Sequence, residues 1–412
     1  MSTVRVRLVS LTAVAVVAAV AAGLLAASGA NGSRSVARAG AQTFRVNVDG
    51  GWTKAHDEEF LGYFPSVVRV HPGDTIVFQM VGNGEPHTVT LGTLANNAVA
   101  AFDKLTPAQK NSNRPPAAFL RADAQVPQLL PQGPGDAVQS TANPCFVASG
   151  APPKKGACAK VAQPAFDGTQ SFYNSGWLDS KQKFTVHISS STRPGTYRYM
   201  CALHREGMTA RIVVVPASTP VASPAAQFAA GQRVLAALER KLAPALKAER
   251  QGKAPLPVSI PGAPYVIAGS GSPAVGEGGI AEFGPRVVTI PVGGSVTWWL
   301  IGVHTITFGS NKTDDDIRAT APDGTVHLNP KAVAPAGGPG EPPPPRGGPK
   351  SGIHFKVVTS SSWNGRGFHN SGVFANSNPP LIEGYKLTFT RAGTYRYICT
   401  IHDGMKGTIV VH

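Results

Sequence analysis

The chain has 412 residues, a formal net charge of +15, and 42% hydrophobic against only 15% charged side chains. That supplies apolar material for two separate cores, while 46 Gly and 36 Pro favour loop-rich β structure over a helical bundle. Positive charge draws acidic partners or anionic envelope polymers, but no aromatic–basic motif accompanies it, which argues against nucleic acid.

Residues 1–30 read as a targeting segment. Arg5 and Arg7 precede an almost wholly apolar run from Leu8 to Ala27, closed by small residues ending Ser28-Gly29-Ala30. The run is long for a signal peptide and near membrane-spanning length, so a cleaved signal and an N-terminal anchor both stand. Either places the remainder outside the cytoplasm, whether secreted, periplasmic or at the cell surface. Contact with a membrane is expected only through that anchor.

Two halves then align: 42–216 and 258–412, each an expected β-sandwich domain. Val67 to Phe78 and Val287 to Trp298 both read as strand, Gly-containing turn, strand. Phe172-Tyr173-Asn174-Ser175-Gly176 matches Phe368-His369-Asn370-Ser371-Gly372, and Phe184 to Ile188 matches Tyr385 to Phe389. Ala210 to Val214 and Gly407 to Val411 read as closing strands. The first half carries an insertion at 105–164 and the second one at 311–350, both expected to be irregular. Residues 217–257 are read as a spacer containing a short basic amphipathic helix that packs on its own domains. Pro244 is expected to kink or end that helix.

Four cysteines remain to be assigned. Cys145 and Cys158, in a Pro/Gly-rich loop, suggest a disulfide; a Cys201–Cys399 pairing is the competing assignment. Against it stands the repeat around those two residues: Gly-Thr-Tyr-Arg-Tyr-Met-Cys-Ala-Leu-His from Gly195 to His204, and Gly-Thr-Tyr-Arg-Tyr-Ile-Cys-Thr-Ile-His from Gly393 to His402. Met208 and Met405 follow each copy. About a hundred residues upstream of each, His87 and His304 lie in apolar strands. A thiolate, two imidazoles and a weak thioether are the donors of a trigonal copper centre that moves single electrons. Zinc is the rival, but structural zinc sites favour more thiolates and rarely use Met.

Both halves resemble the cupredoxins, the plastocyanin, amicyanin and pseudoazurin group, on the upstream Pro86-His87 and the Gly-Thr-Tyr-x-Tyr-x-Cys-x-x-His loops. The resemblance implies an all-β chain of two Greek-key cupredoxin-like sandwiches joined by the partly helical linker. It further implies two type 1 (blue) copper sites cycling between Cu(I) and Cu(II), made by His87, Cys201, His204 and Met208 and by His304, Cys399, His402 and Met405. His204 and His402 would be exposed electron ports at an apolar surface. Thr88 and Thr305, just after the upstream ligands, would tie the ligand loops together. Leu203 and Ile401 stand where the group often has Pro, and Val303 replaces the Pro before His304.

The expected role is an exported electron carrier serving redox donor and acceptor proteins with acidic surfaces. Copper capture or delivery in the envelope is the alternative. A two-domain oxidase or nitrite reductase is disfavoured, because such enzymes place His directly beside the ligand Cys. Here the neighbours are Met200 and Ala202 in one copy and Ile398 and Thr400 in the other, and the chain has no His-x-His pair. His369, opposite Tyr173, is read as a lone surface histidine.

Overall fold

A computed structural model describes residues 40–127, 163–336 and 354–412, apart from 51, 54–55, 83–85, 111–113, 254–259, 263, 272–277, 310–316, 321–325, 361, 375–380 and 403. The targeting segment 1–30, Cys145 and Cys158 lie outside the described residues, as do large parts of both insertions. No described helix is long and apolar enough to cross a membrane.

In the first half, Thr43–Val48 runs parallel to Thr75–Met80, which pairs antiparallel with Lys183–His187. Tyr63–Phe64 completes that sheet. The facing sheet runs in the order Val67–Val70, Arg205–Val214, Gly195–Cys201, Thr90–Leu91, Tyr173–Asn174. Alternation explains the layering: Ile76, Phe78 and Met80 point inward from one strand and Val68 and Val70 from its counterpart. The turn between those two strands uses Gly73 at a φ of 89°, a conformation open to glycine without steric cost. Inward side chains of both sheets meet in one core that includes Cys201 and Met208.

The second half repeats the plan. One sheet contains His354–Thr359, Leu381–Thr388, Ser295–Leu300, Tyr265–Gly271 and Gly278–Gly284, in that order; the other contains Val287–Ile290, Lys406–Val411, Gly393–Ile398, Thr307–Phe308 and His369–Asn370. Its core is heavier in aromatic rings, with Trp298, Phe308, Tyr385 and Tyr397 around Cys399 and Met405. The molecule is therefore mostly β, with two sandwiches.

The halves are not simply strung together. Strand His56–Phe60 of the first half extends the second half's sheet by pairing antiparallel with Gly278–Gly284, in the register Phe60 to Gly278. The linker helix is also longer than expected, running from Pro224 to Arg250 with Ser223 as its cap. Pro244 lies inside it and does not end it. An interior proline costs roughly 3 kcal/mol. Burying Leu235, Leu242 and Leu246 against Phe60, Phe64 and Ile280 offsets that cost. Gln227 is bonded at 2.9 Å to both the amide and the carbonyl of Arg69, while Arg250 pairs with Glu282 at 2.6 Å. The helix is a wedge fixed to both halves.

The first insertion is not wholly irregular. Helix Thr93–Asp103 leads into it, and helices Pro107–Lys110 and Ala117–Asp123 lie within it. Phe119 and Val126 are buried, and Val126 joins a small cluster with Ala95, Ala98, Val99 and Met200. In the second insertion, strands Arg318–Thr320 and Val326–Leu328 form a hairpin ahead of the short helix Pro330–Val333.

Candidate metal centres

Each centre is assembled from two places in the fold. The hairpin formed by Gly195–Cys201 and Arg205–Val214 carries Cys201 at its tip, with His204 in the connection. The hairpin of Gly393–Ile398 and Lys406–Val411 places Cys399 and His402 in the same way. The upstream histidine sits just before a short central strand and is clamped by paired backbone hydrogen bonds. His87 exchanges N–H···O bonds with Leu178 at 3.2 and 2.8 Å, and His304 does so with Phe374 at 3.2 and 3.0 Å.

The side chains converge. His87 Nδ1 and His204 Nδ1 are 3.2 Å apart, with Cys201 Sγ 3.8 Å from His87 Nδ1. At the second centre, His304 Nδ1 and His402 Nδ1 are 3.1 Å apart, and Cys399 Sγ lies 3.9 and 3.5 Å from them. Even the ring tilts agree, at 51° and 52°. Within each half, then, three of the four donors expected from the sequence come together. Met208 and Met405 are buried in the same core clusters as the cysteines. Cys201 and Cys399 are free thiols in separate cores, which overturns the competing disulfide between them.

The electrostatics suit a cation. Burial alone would raise both thiols, yet the facing imidazoles hold Cys201 and Cys399 well below the ordinary thiol range. Two imidazole nitrogens aimed at each other beside a sulfur form a set of electron-pair donors that a shared soft metal ion satisfies. One thiolate with two imidazoles, and a thioether nearby, is the donor set of a type 1 copper centre. Structural zinc sites favour four ligands richer in thiolate.

Thr88 and Thr305 each bond to the cysteine segment of their half. Their backbone amides donate to Cys201 Sγ and Cys399 Sγ, each at 3.4 Å. Their hydroxyls accept from the amides of Ala202 and Thr400, each at 2.8 Å. The sequence reading missed the Asn-Ser-Gly segments as supports: Ser175 Oγ accepts from Val89 N and Ser371 Oγ from Ile306 N, both at 2.8 Å. Their exact repetition in the sequence was the available signal.

Two expectations need correction. His204 is partly exposed, but His402 is only 3% exposed and is no surface port. Nor is His369 a surface residue; it is fully buried, with Nε2 2.5 Å from the Tyr385 hydroxyl.

Comparison with known proteins agrees with this geometry. Amicyanin of Paracoccus denitrificans is 39% identical over 70 residues, covering 14% of this chain and 53% of amicyanin. The chain resembles the cupredoxins. This cupredoxin-like chain spans about half the length of the curated relative it matches. No protein-family model matches it. Among solved structures, a reduced auracyanin of Roseiflexus castenholzii aligns over 43% of this chain and 100% of its own, at 15% identity and a TM-score of 0.22. The purple cupredoxin of Nitrosopumilus maritimus aligns over 42% of this chain and 99% of its own, at 11% identity and a TM-score of 0.19. Scores this low add nothing to the argument, and the cupredoxin-like assignment here rests on strand order, donor geometry and the amicyanin match.

The upstream histidines differ in what stands behind them. Burial would push His87 down, but the Asp49 carboxylate and the Cys201 sulfur outweigh it and raise its pKa to about 9. Burial dominates at His304 and lowers it. Asp49 had no place in the sequence reading.

Proposed function

We propose that the chain is an exported electron carrier holding one copper ion at each of two type 1 centres. The carrying observation is the convergence of Nδ1, Nδ1 and Sγ at buried positions, repeated on the same plan in each half. Copper bound there supplies a one-electron couple between Cu(I) and Cu(II). Every other contribution belongs to the protein. Cys201 and Cys399 offer sulfur as thiolate, and the four imidazoles offer Nδ1. Met208 and Met405, buried in the same cores, would offer thioether sulfur. Thr88 and Thr305 hold each sulfur with a backbone N–H, so the donors need not move when the charge changes. The surrounding apolar core keeps water away.

A carrier fits better than an enzyme, since no histidine adjoins either cysteine to wire it to a second centre. Delivery of copper to other proteins would want an accessible site. Here Cys201 and Cys399 are 0% and 3% exposed, which favours retention of the ion. Partners would be redox proteins with acidic surfaces, meeting the basic chain near His204, whose neighbour Leu203 is also partly exposed.

The exported region, loaded with Cu(II), should bind two copper ions per chain and show an intense visible charge-transfer band that bleaches on one-electron reduction. Cys399→Ser should remove half of the band and one ion. A chain that takes up zinc instead, or copper without the band, would overturn the reading.

A further inference from the structure

The two centres differ at one position that internal duplication makes directly comparable. In the first half Val48 pairs with Met80 and its carbonyl accepts from Val81 N; in the second, Ala268 pairs with Leu300 and its carbonyl accepts from Ile301 N. The next residues are therefore equivalent. They are Asp49, at a φ of 63°, and Gly269, at a φ of 74°. Both hold the same left-handed conformation beside the upstream histidine.

Asp49 is 1% exposed and its carboxylate is fixed. Oδ1 accepts from Gly50 N at 2.6 Å and from Phe60 N at 2.9 Å. That leaves Oδ2 facing His87 Nε2 at 3.5 Å, an ion-pair separation with almost no water-exposed surface on either side chain. Gly82 makes room for it, since a Cβ there would overlap Oδ2. In the second half no carboxylate can stand in that place, because a Cβ at Gly269 would overlap His304 Nε2. His304 Nε2 lies instead 2.9 Å from the backbone carbonyl of Ile301.

We infer that Asp49 makes the first centre the more reducing of the two. The inference rests on the two-copper reading above. A negative carboxylate behind one imidazole makes Nδ1 a stronger donor and adds a fixed negative charge, both of which favour the doubly charged oxidised ion over the singly charged reduced one. A neutral carbonyl behind the other imidazole polarises it less than a carboxylate would and adds no net charge. The near-complete burial of His402 acts in the same direction, because a low-dielectric surround disfavours the higher charge. With copper held at both centres, an electron on the first would have the second as its lower-energy place, and its transfer would make or break no bond and move no proton. Asp49 is a positioning and tuning residue, not a ligand.

Spectroelectrochemistry on single-centre proteins tests this. Cys399→Ser leaves the first centre to report, and Cys201→Ser leaves the second; the first should have the lower midpoint potential. Adding Asp49→Asn to Cys399→Ser should weaken Cu(II) binding about tenfold relative to Cu(I), which raises the midpoint by about 59 mV. Gly82→Ala, which crowds the same carboxylate, should shift it in the same direction should the Asn variant not fold. Equal potentials, the reverse order, or an unmoved first potential in copper-loaded Asp49→Asn would overturn the inference. Absence of the visible band in both single-centre proteins would instead overturn the copper reading itself.

Discussion

Thr305 holds Cys399 through two bonds: its amide donates to Sγ at 3.4 Å, and its hydroxyl accepts from the next residue's amide, Thr400 N, at 2.8 Å. Thr88 does the same for Cys201 and Ala202. Each threonine thereby pins the upstream ligand segment to the ligand loop. Replacing Thr305 with Val keeps the shape and the amide but leaves the buried Thr400 N–H without its acceptor. That should cost about 1–3 kcal/mol, read as a lower midpoint in chemical denaturation of the metal-free protein. The visible band should persist, because the sulfur contact comes from the backbone. A loss of the band with unchanged stability would contradict this account.

The linker helix should couple the two halves. Leu242 is fully buried in the cluster shared with Phe60 and Ile280. Truncating it to Ala should cost roughly 2–5 kcal/mol. Calorimetry would show the consequence as a split of the unfolding endotherm, with the two sandwiches melting apart. A single endotherm merely shifted would mean that the shared sheet, not the helix, carries the coupling.

Close approach sets a second constraint on that helix. Gly231 packs on the backbone of Phe64 and Pro65, and a Cβ there would lie 2.5 Å from Pro65 N. Gly231→Ala gains helix propensity of about 1 kcal/mol, but the clash is with backbone and cannot be relieved by a rotamer change. Net destabilisation is expected in thermal melts, of order 1–3 kcal/mol. A stabilised variant would show that the helix rides further from the first half.

Glu249, near the helix end, should make stability depend on pH. Burial, and then the charge of Glu282, hold its carboxyl well above the usual carboxylate range, against the opposing Ser270 hydroxyl and Arg250. The folded chain therefore keeps this proton at pH values where the unfolded chain has lost it. Protons bound are fewer in the unfolded state, so stability falls as pH rises above the unfolded value of about 4.3 toward the folded value. Glu249→Gln should flatten that decline and raise the melting temperature at neutral pH. An unchanged pH profile in the variant would assign the dependence elsewhere.

Much of the site was legible because chemistry repeats in one dimension. Cys, His and Met fall within one short loop, so their spacing survives in the sequence, and duplication flags the distant His87 and His304. Strand alternation likewise marks Val67 to Phe78 and Val287 to Trp298. What spacing cannot express is which residue stands behind a ligand. Asp49 lies 38 positions from His87 with no motif around it, and Gly269 looks like any other glycine. The contact between them and their histidines arises only when a parallel strand pair brings the segments side by side.

By itself, then, the amino-acid order marked the candidate donors, their grouping into two sets and the β alternation that buries them, because each of these depends on local periodicity or on a repeat. Only tertiary structure decided that His402 is more deeply covered than His204, that Pro244 is tolerated within a long docked helix, and that a strand of the first half extends the second half's sheet. These depend on packing between segments far apart in the chain, where burial energy overrides local preference and where two identical motifs acquire different surroundings.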